Sequence, residues 1–229
     1  MKQLLSLGAA ALLAIGAPCA TYAGVPGDVQ TQCGGCHTFN HDYASQPVTE
    51  RMERKGPPLD YAGNKFQRTW LVAWLQNPVR IRPAGEFPPD HVKSGPDGKD
   101  VVDTSTLLKH PVLSAAQAGT TADYLMTLKP FDNLIKAETY QPGTISPRMG
   151  EMNFVKFRGC GACHEHAPGK GGLSGPELYT AWKRLQPAFI ASYISNDVAW
   201  DPHTMMPKSD NSQRSVEKLA NYLKVIGGK

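Results

Sequence analysis

Beyond its first two dozen residues the chain has no apolar run long enough to span a bilayer, so a soluble body is expected. It has no basic stripe and no basic–aromatic pattern. Lys and Arg number 24 against 20 Asp and Glu, scattered, for a formal net charge of +4. That excludes an ordinary nucleic-acid interface and suits, at most, an acidic partner surface. No stretch alternates convincingly as a strand, and no βαβ pattern is present. Bulk disorder is excluded by a hydrophobic content of 41%. Proline and glycine are plentiful, 19 and 22 residues, which suggests compact units rich in loops within 229 residues, enough for one large domain or two small ones.

Cysteine is scarce, five residues, and its placement is informative. Cys19 falls in "MKQLLSLGAAALLAIGA…", a segment with one early Lys and an apolar run too short to span. With "TYA" as the cleavage site, residues 1–23 are expected to be a signal peptide and the protein exported to the periplasm. A lipoprotein reading of Cys19 is met by Pro18, a poor match just before it. The other four cysteines form Cys33-Gly34-Gly35-Cys36-His37 and Cys160-Gly161-Ala162-Cys163-His164. At this composition an accidental C-x-x-C-H has a per-chain probability on the order of 0.003, so two are not chance. Two local disulfides or one four-cysteine zinc site leave both histidines unused, and a thioredoxin-like pair needs only one C-x-x-C. Covalent haem uses every residue: the thiols add to the vinyl groups, and the adjacent imidazole binds iron. Two haem c groups are the expected cofactors.

The spacing reveals a repeat. Gly56–Leu59 (GPPL) answers Gly175–Leu178 (GPEL), and Pro57 to Phe87 and Pro176 to Met206 are both 30 residues. Between them Thr69–Pro83 aligns without a gap on Ala188–Pro202, and Ala122–Leu125 (ADYL) answers Ala220–Leu223 (ANYL). The organisation expected is a first unit over 24–130, a linker over 131–146 and a second unit over 147–229. Pro88 to Tyr124 is 36 residues where Pro207 to Tyr222 is 15. The first unit therefore carries 21 extra residues, a polar insertion at about 89–110.

Each unit reads as helical. "SPRMGEMNFVKF" predicts a helix running into the second cysteine motif, "FQRTWLVAWLQ" and "PAFIASYIS" predict short buried helices, and "SAAQAGTTADYLMTL" and "SQRSVEKLANYLKVI" predict closing helices capped by Ser114 and Ser212. Trp70 and Trp74, one helical turn apart, read as pocket core. Arg80 and Arg82 read as solvated.

Taken in order, C-x-x-C-H, G-P-x-L, a helix, Met-Pro and a closing helix resemble class I cytochrome c, once per half. The resemblance implies an all-α fold of two tandem cytochrome c-like domains, each enclosing one haem bonded through Cys33 and Cys36 or through Cys160 and Cys163. It also implies His37 and His164 as axial iron ligands, with the carbonyls of Pro57 and Pro176 orienting them. Leu59 and Leu178 would pack on the haem. Met206, before Pro207, is the second axial ligand expected in the second unit, with Met205 as fallback. His166 and His203 are expected as exposed loop residues. In the first unit the same step lands on Phe87, which has no lone pair. The insertion offers His91, four residues on, as the sixth ligand, with His110 the alternative and an open iron a third outcome; Met52 and His41 are remote candidates.

The function this implies is single-electron transfer between periplasmic or membrane-bound redox proteins. The alternative is a small dihaem oxidoreductase, or the cytochrome subunit of one, with chemistry at an open or unusually ligated first haem.

Overall fold

Helix prevails because the apolar residues recur at helical spacing while glycine and proline fall between segments. The computed structural model describes residues 26–208 and 210–228. The expected signal peptide and Cys19 lie outside them. In the first half the main helices are α1 (Gly27–Cys33), α2 (Arg68–Gln76) and α3 (Ala115–Leu125); α4 (Asp132–Ala137) follows. In the second half they are α5 (Pro147–Glu151), α6 (Pro187–Ser195) and α7 (Gln213–Gly227). Helix α2 buries Leu71 and Leu75, one turn apart, and ends at Asn77, which Pro78 forces out of helical geometry. Pro187 opens α6 with its φ already helical. Helix α7 buries Val216, Leu219, Ala220 and Leu223, a continuous stripe at three- and four-residue steps. Among the described residues no helix is long and apolar enough to cross a membrane.

The caps differ. Ser114 accepts from the backbone of Gln117, whose side chain returns to the Ser114 backbone, a full capping box. Ser212 sits at the N-cap of α7, but its Oγ meets Ser215 Oγ at 3.1 Å instead.

Two features depart from the sequence reading, and the expected linker is well packed. The insertion holds a small antiparallel hairpin, β1 (Val92–Ser94) and β2 (Asp100–Val102), closed by a turn in which Gly95 N–H donates to the Lys99 carbonyl at 2.7 Å. Gly98 takes φ +75° in that turn, a conformation that favours glycine. The helix before Cys160 is α-helical only to Glu151; Met152–Phe157 widens into a π-helical turn. Of its expected apolar face, Phe154 is buried while Met149, Val155 and Phe157 are exposed. The linker is a packed element and not a loose tether. Phe131 N–H donates to Asn64 Oδ1, and both Tyr140 and Gly143 donate to Asn221 Oδ1 at 2.8 Å.

The two halves meet across a seam with approximate twofold symmetry. Residues 119 apart in sequence occupy matching places: Phe66 pairs with Leu185 as an antiparallel bridge. Gln67 N–H donates to the Arg184 carbonyl and Gln186 N–H to the Lys65 carbonyl, both at 2.9 Å. The Gln67 amide spans the Trp182 and Leu185 carbonyls, and the Gln186 amide spans those of Gly63 and Phe66. Beside the seam Tyr61, Phe131, Phe189 and Trp200 form one aromatic cluster, with Phe189 and Trp200 edge to face at 4.8 Å. One buried apolar core therefore runs through both units.

Candidate functional site

Each C-x-x-C-H segment is a tight turn closed by its own backbone. His37 N–H donates to the Cys33 carbonyl and His164 N–H to the Cys160 carbonyl, both at 3.0 Å. All four cysteines are free thiols, with Cys36 exposed and the other three half-buried. Neither pair closes a disulfide, and among the described residues no three His, Cys, Asp or Glu side chains gather to hold a bare metal ion. The disulfide and single-zinc readings of the motifs thus find no geometry to support them. Burial holds the Cys33 and Cys160 thiols above their ordinary range.

Both imidazoles are set in the same way. His37 Nδ1 lies 2.8 Å from the Pro57 carbonyl, and His164 Nδ1 lies 2.7 Å from the Pro176 carbonyl. A carbonyl only accepts, so each ring carries its proton on Nδ1 and turns Nε2 into the interior as an acceptor. Burial, the largest influence, pushes both histidines below the ordinary imidazole range. The glycine before each proline lies against the ring: a Cβ at Gly56 or Gly175 would stand 2.5 Å from the Cε1 of His37 or His164. The leucine of each G-P-x-L closes the loop, Leu59 N–H donating to the Thr38 carbonyl at 2.9 Å and Leu178 N–H to the Glu165 carbonyl at 2.8 Å. Neutral, oriented imidazoles beside paired free thiols fit the donor set that covalent haem requires. A buried Arg51 beside Glu86, its Nη1 without a protein partner among the described residues, offers a donor to an acidic group of such a ligand.

The residues at the place expected for a second axial ligand differ between the halves. Met206 is half-buried with its N–H on Thr204 Oγ1, whereas Met205 is 58% exposed. In the first unit Phe87 is half-buried. His91 Nδ1 lies 2.8 Å from Thr106 Oγ1, and a Cβ at Gly85 would come within 2.7 Å of its Nε2. His110 is the histidine brought to the motif, its ring centre 6.3 Å from that of His37 and 4.5 Å from that of Trp74. His91 closes the short turn that begins at Phe87, Asp90 N–H donating to the Phe87 carbonyl at 3.1 Å, and the hairpin follows it.

Other expectations are corrected. His166 and His203 are buried, not exposed: Nδ1 of His166 meets the Tyr222 hydroxyl at 2.9 Å, and that of His203 meets Glu50 at 3.0 Å. Arg80 donates to the Leu108 carbonyl at 3.0 Å, and Arg82 pairs with Glu86 at 2.8 Å, so neither is merely solvated. Met52 is 49% exposed, and His41 is tied to Asp60 at 2.8 Å. Comparison with protein families, curated proteins and solved structures returns no match to this chain.

Proposed function

We propose that the chain is an exported, periplasmic dihaem c-type cytochrome that carries single electrons between redox protein partners. The observation that carries this reading is the repeated bond from histidine Nδ1 to a proline carbonyl, 2.8 Å at His37 and 2.7 Å at His164, at both C-x-x-C-H turns. A metal-binding imidazole needs its outer nitrogen fixed by an acceptor, which sets the tautomer and raises basicity at the inner one. Disulfide or zinc chemistry at the cysteines would place no such demand on the histidine that follows.

Haem held there supplies a one-electron ferric/ferrous couple. Cys33 with Cys36, and Cys160 with Cys163, anchor each group to the chain. His37 and His164 would each supply an imidazole to it, and Met206 would be the soft second donor in the second unit, favouring the ferrous state. Leu59, Leu178 and the buried core limit water and keep reorganisation small. Because the units share one seam and one core, an electron entering at one would pass to the other within a single folded body.

Production in a host proficient in cytochrome c maturation tests the reading. The secreted chain should gain the mass of two haems and show a spectrum that is reversibly reduced and reoxidised. Replacing Cys33 and Cys36 with Ala should remove one haem, and replacing Cys160 and Cys163 the other. A bare polypeptide mass would overturn it.

A further inference from the structure

We infer that His110 is the second axial ligand of the first unit, facing His37 across the haem plane, so that this centre is bis-histidine while the second is histidine/methionine. The inference rests on the dihaem reading above. Imidazole nitrogens bind first-row metal ions at about 2 Å, with the ring centre about 1 Å behind the nitrogen, so two imidazoles on opposite sides of one ion have centres about 6 Å apart. His37 and His110 stand at 6.3 Å, without direct ring stacking, their planes tilted by 56°. In each ring Nδ1 is engaged by a backbone carbonyl, Pro57 for His37 and Pro111 for His110, both at 2.8 Å. Nε2 is the nitrogen left in each to bind metal.

The chain around His110 is fixed on both sides. Arg80 holds the Leu108 carbonyl at 3.0 Å, and Leu113 N–H donates to the Leu75 carbonyl at the end of α2 at 3.0 Å. Trp74 packs against the ring itself in a T-shaped arrangement, centre to centre 4.5 Å. Arg80 and Trp74, both from the first unit's repeat, thus become positioning residues for the ligand. The same geometry accounts for Phe87 and the insertion together. The second unit meets its iron with Met206, where the first has a side chain without a lone pair. The 21 added residues fold out as the hairpin and return the chain to His37 from another direction.

Spectroscopy of the holoprotein tests this. Oxidised wild type should contain two low-spin haems, with the near-infrared charge-transfer band of methionine-bound ferric iron accounting for only one of them. His110→Ala should convert one haem of the two to high spin and let its ferrous form take up about one carbon monoxide per chain, whereas His91→Ala should leave the spectrum unchanged. If His110→Ala does not yield holoprotein, His110→Met decides: it should retain two low-spin haems, double the methionine band and raise the lower of the two reduction potentials. A wild-type protein with one high-spin haem, an unchanged spectrum in His110→Ala, or loss of the ligand in His91→Ala overturns the assignment. These outcomes all presuppose two bound haems by mass, so failure of the dihaem reading registers separately, as a chain without haem.

Discussion

At the scale of single residues, the two glycines before the prolines matter more than the prolines' own side chains. Gly175 has Cε1 and Nδ1 of His164 at 2.5 and 2.6 Å from where a Cβ would sit, with the Cys163 carbonyl at 3.0 Å. The ring cannot yield without leaving the Pro176 carbonyl, and the carbonyl is backbone. Gly175→Ala should therefore cost about 1–3 kcal/mol, the usual range for overpacking a filled site, and, on the proposed dihaem reading, should weaken haem retention in the second unit. Gly35 lies between the cysteines of the first motif, and a Cβ there meets nothing within 4 Å. The second motif already carries Ala162 at that place. Gly35→Ala should stay within about 0.5 kcal/mol of wild type. Denaturant unfolding and haem-to-protein ratio read both variants. A Gly175→Ala protein as stable as Gly35→Ala would remove the steric account of the G-P-x-L glycine.

At the scale of elements, Ser114 and Ser212 look alike in sequence and differ in structure. Only Ser114 closes a capping box, so Ser114→Ala should cost about 1 kcal/mol, and Ser212→Ala less, because its hydroxyl binds a neighbouring hydroxyl. Thermal unfolding of the two variants checks the order. Local signals made the main helices legible, since periodicity, proline starts and the repeat each act within a few residues. The π-helical turn at Met152–Phe157 was not, because α and π turns use the same apolar residues and differ only in how the backbone bonds. The hairpin was missed for a different reason. Its strands are three residues each and largely exposed, so no alternation of burial existed to read, although Gly95-Pro96-Asp97-Gly98 is a turn signal. The hairpin base brings Asp103 N–H to the His91 carbonyl at 2.7 Å, so eleven residues of insertion fold back on themselves. The fold-back brings His110, which lies beyond the hairpin, to within 6.3 Å of His37, ring centre to ring centre. The paired motifs and the proline carbonyl bonds were legible because each depends on residues with fixed roles. Which histidine of the insertion lies beside His37 depends on the path of a loop.

At the scale of the whole molecule, the seam is held by charge as well as by matching glutamines. Arg54, in the first unit, donates to Asp201 of the second at 2.5 and 3.2 Å and to Glu50 at 2.8 and 3.1 Å, and its guanidinium covers the Tyr43 ring at 4.7 Å. The side chains of Arg54, Asp201 and Glu50 are only 5%, 8% and 15% exposed. Asp201 in turn accepts from the His203 N–H at 2.9 Å, at the start of the loop that carries Met206. One arginine of the first unit thereby holds the methionine loop of the other. Burial raises both carboxyls, but the hydrogen bonds from Arg54 to both, joined at Glu50 by that from His203, outweigh it, leaving Asp201 and Glu50 below their ordinary values. A carboxyl depressed in the folded state contributes stability above its unfolded pKa, about 4, and loses it as pH falls through the folded value. Arg54→Met removes the partner and leaves a buried carboxylate uncompensated, which costs about 3–5 kcal/mol at neutral pH. In that variant only the His203 N–H and the charge of Arg51 still oppose burial at Asp201, so its folded pKa rises from its depressed value and the stability it contributes at neutral pH shrinks. The gap between wild type and Arg54→Met in urea unfolding should therefore widen from pH 4 to pH 7. A gap of constant size would mean that the guanidinium acts through its packing on Tyr43 and not through the two carboxylates.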